Sequence, residues 1–116
     1  MKKILFVEDD RNWQMMYREI FAHKARMFHA FTLRQAEIFF AAVQNIDAIV
    51  MDGTIEKQHD ALNLVVSLRK SGYRGLLIAA SAQEDTCELL MAAGCDQSID
   101  GSKSRLGGML CETLNL

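Results

Sequence analysis

The chain has 116 residues, 50% of them hydrophobic and 24% charged, with a formal net charge of −2. That length predicts one domain, residues 1–116, with a hydrophobic core of its own. The near-neutral balance argues against direct nucleic-acid binding, and no apolar run approaches the roughly 20 residues that a membrane-spanning helix needs. The basic start at Lys2 and Lys3 has the sign of an export signal. Its apolar run, Ile4 to Val7, is too short for one. Cys87, Cys95 and Cys111 lack metal-type spacing and predict reduced, mostly buried thiols in a cytoplasmic protein.

Ile4 to Val7 predicts a strand buried on both faces, ended by Glu8-Asp9-Asp10. Trp13, Met16, Tyr17, Ile20 and Phe21 recur at helical spacing and predict a first helix over 11–23. Residues 26–31 predict a weaker second strand. Thr32 and Gln35 match a capping box that opens a second helix carrying Leu33, Ala36, Phe39, Phe40 and Val43. Ile46 to Met51 predicts a third strand, and Asp52 stands where that apolar run stops. Residues 53–59 are polar and irregular, a loop. Leu62, Leu64, Val65, Val66 and Leu68 predict a third helix closed at Gly72. Leu76 to Ala80 predicts a fourth buried strand, and Ser81 with Glu84 again matches a capping box. Leu89, Leu90 and Met91 belong to a short fourth helix ending at Gly94. Gln97 to Ile99 predicts a weak fifth strand. Leu106, Met109, Leu110 and Leu114 line a last helix.

Strands alternating with helices predict an α/β fold: a doubly wound, five-stranded parallel sheet of the flavodoxin-like (βα)5 kind, with helices on both faces. In such a sheet ligands bind beyond the carboxyl ends of the strands. Asp9, Asp52 and Ser81 each fall at such an end. Glu8, Asp9 and Asp52 converge if the first and third strands are neighbours. Three carboxylates in one pocket repel, and a divalent cation removes the conflict. All-oxygen ligands select Mg²⁺ or Mn²⁺. The plainer reading is that the acids merely open the first helix, but that leaves Asp52 unexplained.

The segments Ile4-Leu5-Phe6-Val7-Glu8-Asp9-Asp10, Ala48-Ile49-Val50-Met51-Asp52, Asp60-Ala61-Leu62, Leu77-Ile78-Ala79-Ala80-Ser81-Ala82 and Ala93-Gly94-Cys95-Asp96 are weak singly. In this order and spacing the chain resembles, over essentially its whole length, the receiver domains of bacterial two-component response regulators. The resemblance implies that Asp52 accepts a phosphoryl group, with Glu8 and Asp9 as the metal-binding acid pair and Asp9 the more direct ligand. It implies that Thr54 lends a backbone carbonyl to the metal and that Ser81 contacts the phosphoryl group. It also implies Mg²⁺ as cofactor, with Mn²⁺ as its substitute. The partners implied are a sensor histidine kinase or phosphotransfer protein and a downstream output protein or domain. Such a domain is no enzyme beyond the phosphotransfer to itself.

The sequence departs from the family in four places, one of them the segment from Ser81 to Gly94, which is about two residues short and predicts a truncated fourth helix. Counted from Gly94, the position of the family's Lys holds Gly101. Lys103 lies two residues later, before Ser104, and fits when counted back from the last helix, so Lys103 is the candidate phosphate-contacting lysine. The family's aromatic switch position holds Ser98. The loop after Asp52 lacks the family's Pro and carries His59, the kind of loop histidine that is usually solvent-exposed. These departures keep a second reading open: a pseudo-receiver, a protein-interaction module without efficient phosphorylation. Met51-Asp52-Gly53-Thr54 partly matches the Asp-x-Asp-Gly-Thr motif of haloacid-dehalogenase-type phosphohydrolases. The nucleophile of that motif would fall at Val50, which cannot act as one. A flavin-binding flavodoxin would share the layers, but Glu8-Asp9-Asp10 would repel a phosphate after the first strand.

Overall fold

The structure is a computed structural model that describes residues 1–56, 58–81, 83–99 and 105–116, with the side chains of Gln58 and His59 excepted. Strands β1 (Lys3–Val7), β2 (Arg26–Ala30), β3 (Ala48–Met51), β4 (Leu76–Ala79) and β5 (Gln97–Ser98) alternate with helices α1 (Arg11–Ile20), α2 (Leu33–Ala42), α3 (Gln58–Lys70), α4 (Glu84–Ala93) and α5 (Leu106–Thr113). All strand pairs are parallel, in the order β2-β1-β3-β4-β5. The chain direction across the sheet therefore reverses between β1 and β3, which makes that gap the switch point where ligands bind in open α/β sheets.

Alternation along each strand splits the core in two. Leu5, Val7, Ile49, Met51, Leu77 and Ala79 face Leu33, Ala36, Leu64, Val65, Leu68 and Leu90 of α2, α3 and α4. Ile4, Phe6, Ala48, Val50, Ile78 and Ala80 face Tyr17 and Phe21 on the α1 side, and Leu106, Leu110 and Leu114 on the α5 side. Because β1, β3 and β4 are apolar on both faces, neither layer of helices is dispensable. Phe6 stacks on Tyr17 with ring centroids 4.6 Å apart and lies 5.5 Å from Phe21.

The predicted elements are present, with differences at their ends. α1 stops at Ile20, Phe21 is its C-cap, and His23 takes φ 62° in the turn that follows. Of its predicted apolar face, Met16 is exposed and Trp13 is only partly buried. Thr32 caps α2 by accepting from Gln35 N, and Gln35 Oε1 accepts from Phe31 N. α4 is no shorter than α1 or α2, with ten residues in each. Ser81 does not cap it; the N-cap is Gln83. Ser81 Oγ instead accepts from Gln83 N at 3.2 Å, so the hydroxyl holds the turn leading into α4 rather than its first turn. All three cysteines are free. Cys87 and Cys95 are buried and Cys111 is half-buried.

At the edge away from Asp52, Arg69 binds the carbonyls of Gly94, Tyr73 and Gly75 and pairs with Asp96 at 2.7 Å. Gly94, at φ 138°, closes α4 against it, and a Cβ there would meet Arg69 Cγ at 2.9 Å. The far end of the sheet is slighter. β5 pairs through two residues only, and the eight-residue α5 carries Gly107 and Gly108. Gly107 is required by packing: a Cβ there would lie 2.7 Å from Ile20 Cγ2. Among the described residues no helix is long and apolar enough to cross a membrane.

Candidate functional site: the acid pocket at the sheet switch point

β1 and β3 are in register with Phe6 beside Val50 and Val7 beside Met51. The residues that follow each strand therefore emerge side by side. Asp52 N donates to Val7 O at 2.9 Å, and Glu8 N donates to Ala30 O at 2.9 Å, so the ladder reaches the first residue past each strand. Glu8, Asp9 and Asp52 consequently offer one carboxylate oxygen each within 4.8 Å of one another. Glu8 and Asp52 are 2% and 3% exposed, whereas Asp9 is open to solvent.

Burying carboxylates requires local donors. Asp52 Oδ1 accepts from Thr54 N at 3.2 Å and from Thr54 Oγ1 at 2.9 Å. Glu8 Oε2 accepts from Asp10 N at 3.2 Å. Asp10, the third acid of the run, does other work. It is the N-cap of α1, and its Oδ1 accepts from Asn12 N and Trp13 N. The helix-opening role of acids therefore belongs to Asp10, which leaves Glu8 and Asp9 with Asp52. An all-oxygen set with one solvent-facing carboxylate fits a hard cation such as Mg²⁺, which prefers few protein ligands and keeps water in its shell.

Ser81 is buried at the end of the neighbouring strand β4. Thr54, expected as a carbonyl donor to metal, is exposed and also clamps Asp52. Lys103, with Gly101 and Ser104 beside it, lies outside the described residues, as does the side chain of His59. Ser98, in place of an aromatic, is half-buried on β5.

Three residues near the pocket have roles there that the sequence motifs do not indicate. Gln14, on the core side of α1 and 2% exposed, binds the ends of β1 and β2. A polar residue in register with Tyr17 and Phe21 was its only signal. Gly53 lets α4 approach the loop after Asp52. Tyr17, stacked on Phe6, is raised well above its ordinary pKa by burial first, then by the negative charges of Glu8, Asp52 and Asp10. Tyr73, the chain's other tyrosine, is raised as well, chiefly by burial, and donates to Ile46 O at 3.0 Å.

Both folded values lie above the ordinary 10.0. Above about pH 10 the unfolded chain releases protons that the native chain keeps, so stability falls as pH rises. An ultraviolet absorbance titration should show no tyrosinate near pH 10 while the protein stays folded, and both tyrosines ionising together on alkaline unfolding. A tyrosine titrating normally in native protein would contradict this packing.

No protein-family model matches the sequence, and no curated protein does. Solved structures match across the whole chain. A signal receiver domain of a two-component signal-transduction histidine kinase from Clostridium thermocellum superposes with a TM-score of 0.83 at 14% identity, over 99% of this chain and 98% of that one. A Thermotoga maritima response regulator, solved in complex with Mg²⁺-BeF, gives 0.79 at 20% identity over 99% and 97%. The receiver domain of a Francisella response regulator gives 0.78 at 21% over 98% and 99%. Sheet order, two-sided core and full-length superposition agree: the chain has the receiver-domain fold of response regulators.

Proposed function

We propose that residues 1–116 form a phospho-accepting receiver domain of a two-component system. A sensor histidine kinase or phosphotransfer protein charges Asp52, and the charged domain acts on a downstream output protein or domain. The observation that carries this reading is the convergence of Glu8, Asp9 and Asp52 at the switch point of a receiver-type sheet. That the Thermotoga maritima neighbour of the same fold was solved in complex with Mg²⁺-BeF supports a divalent cation as the cofactor. Receiver domains are signalling domains rather than classical enzymes, and the transfer here is to the chain itself. We place it in the cytoplasm, where such kinases present their phosphoryl groups.

Each residue then has a chemical task. Glu8, Asp9, Asp52 and the Thr54 carbonyl would hold Mg²⁺ or Mn²⁺, with Asp9 the more direct ligand. When bound, the cation supplies positive charge against the charge that spreads over the phosphoryl oxygens in the transition state. An Asp52 carboxylate oxygen attacks phosphorus as the bond to the donor breaks, which leaves an acyl phosphate on the chain. Thr54 orients that carboxylate by binding its other oxygen. Ser81 Oγ, which accepts from Gln83 N, donates its own hydrogen to the new group, and Lys103 pairs with its charge.

The test is the intact mass after treatment with acetyl phosphate and Mg²⁺. The protein should gain one phosphoryl group that is acid-stable and alkali-labile, and gain none when the cation is chelated. No gain under any divalent cation would leave the pseudo-receiver, an interaction module without efficient phosphorylation. The specific observation favouring that alternative is Ser98 on β5, where an aromatic switch is expected.

A further inference from the structure

Gln14 is a polar residue on the core face of α1, between the helix and the carboxyl ends of β1 and β2. Its Nε2 lies 3.2 Å from Phe6 O, 2.9 Å from Glu8 O and 3.0 Å from Ala30 O. An amide NH₂ has two hydrogens, so at least one is shared among the three carbonyls. With Nε2 committed as donor, Oε1 is the acceptor, and it faces His29 Nδ1 at 2.6 Å. His29 must therefore carry its hydrogen on Nδ1. The imidazole is fixed in turn by its stack on Phe6, with ring centroids 5.6 Å apart and an interplanar angle of 13°.

One of those carbonyls belongs to Glu8, whose carboxylate lines the acid pocket. Another, Ala30 O, also accepts from Glu8 N. Gln14 thus grips the Glu8 peptide on its carbonyl side directly and on its amide side through Ala30. Carboxylates held within 4.8 Å repel one another, and an unrestrained Glu8-Asp9 turn would relieve that by rotating its side chains away from Asp52.

We propose that Gln14 is a positioning residue for the acid pocket. Oriented by His29, it clamps the Glu8 peptide to the ends of β1 and β2 and so presets the Glu8 and Asp9 carboxylates for a divalent cation. The inference rests on reading the pocket as a cation site; it does not require that Asp52 be phosphorylated.

The test is a Mn²⁺ titration of the full chain, read by Trp13 fluorescence and by paramagnetic broadening of backbone amides. Gln14→Met keeps the volume and removes every hydrogen bond. It should weaken Mn²⁺ binding by roughly tenfold, the scale seen when outer-shell partners of a metal site are removed. His29→Phe keeps the stack on Phe6 but frees the amide to rotate, and it should weaken binding by a smaller, measurable factor. Leu68→Ala, on the opposite face of the sheet, destabilises without touching the pocket and should leave Mn²⁺ affinity unchanged. Wild-type affinity in folded Gln14→Met overturns the proposal. Should Gln14→Met not fold, wild-type affinity in His29→Phe overturns it instead. A wild-type chain that does not bind Mn²⁺ overturns this inference and the cation reading together. Normal Mn²⁺ affinity without phosphorylation overturns only the proposed function.

Discussion

Asp52→Asn should abolish phosphoryl labelling by acetyl phosphate while leaving the fold intact. The amide has the shape of the carboxylate and keeps an oxygen for Thr54 N and Thr54 Oγ1. It cannot form an acyl phosphate, so the loss should be complete. Removing one of three mutually repelling carboxylates should leave thermal stability equal or raised. Asp9→Asn provides the contrast. It retains the Asp52 carboxylate, removes one charge from the acid pocket, and should slow labelling in a way that higher Mg²⁺ partly restores. Phosphoryl incorporation into Asp52→Asn would move the acceptor elsewhere, with Asp9 the next residue to test.

Gly53→Ala should destabilise the protein by about 1–3 kcal/mol, the usual cost of overpacking a filled core. A Cβ at position 53 would lie 2.3 Å from Thr86 Cγ2 and 2.7 Å from Leu90 Cδ1. Both neighbours are buried. Thr86→Ser deletes the nearer methyl and keeps the hydroxyl that faces Gln83 Oε1 at 3.3 Å. The double variant Gly53→Ala with Thr86→Ser should therefore be more stable than Gly53→Ala alone in urea unfolding. Wild-type stability in the single variant would mean that α4 stands further from the loop than this contact requires. If Asp52 is the acceptor, as proposed, the contact bears on its output, because Gly53 directly follows it. The loop after Asp52 lies directly against Thr86 and Leu90 in the first two turns of α4, with no aromatic ring between.

Much of this was legible in the sequence because it depends on local pattern. Three apolar runs, two weaker strand segments and the helical periodicities between them set the order of elements, and a carboxylate at the end of a buried run marks a site. What was illegible depends on contacts across the fold. Ser81 and Glu84 satisfy the spacing of a capping box, yet the chain turns two residues later and Gln83 takes the cap. Asp10 is indistinguishable in sequence from its acidic neighbours, and only the start of α1 singles it out. Met16 fits the apolar stripe of α1 but falls beyond the reach of the sheet. Gln14 and Gly53 act through partners 16 and 33 residues away respectively, Ala30 and Thr86, which no motif could pair.

The thin far edge of the sheet has a consequence for how the molecule breathes. Local opening is cheapest where few buried bonds are lost, and β5 contributes two paired residues. Glycine in a helix interior costs about 1 kcal/mol relative to alanine, and α5 has two within eight residues. Alanine cannot replace the first of them without displacing Ile20. Amides of β5 and α5 should therefore exchange with solvent hydrogen through sub-global opening, well before those of β1 and β3. That opening bares Leu106 and Leu110 and strips one wall from the layer that also holds Phe6 and Tyr17. Any group bound beside Asp52 that ties down the last βα unit would be registered as slowed exchange there, a change in cooperativity rather than in shape.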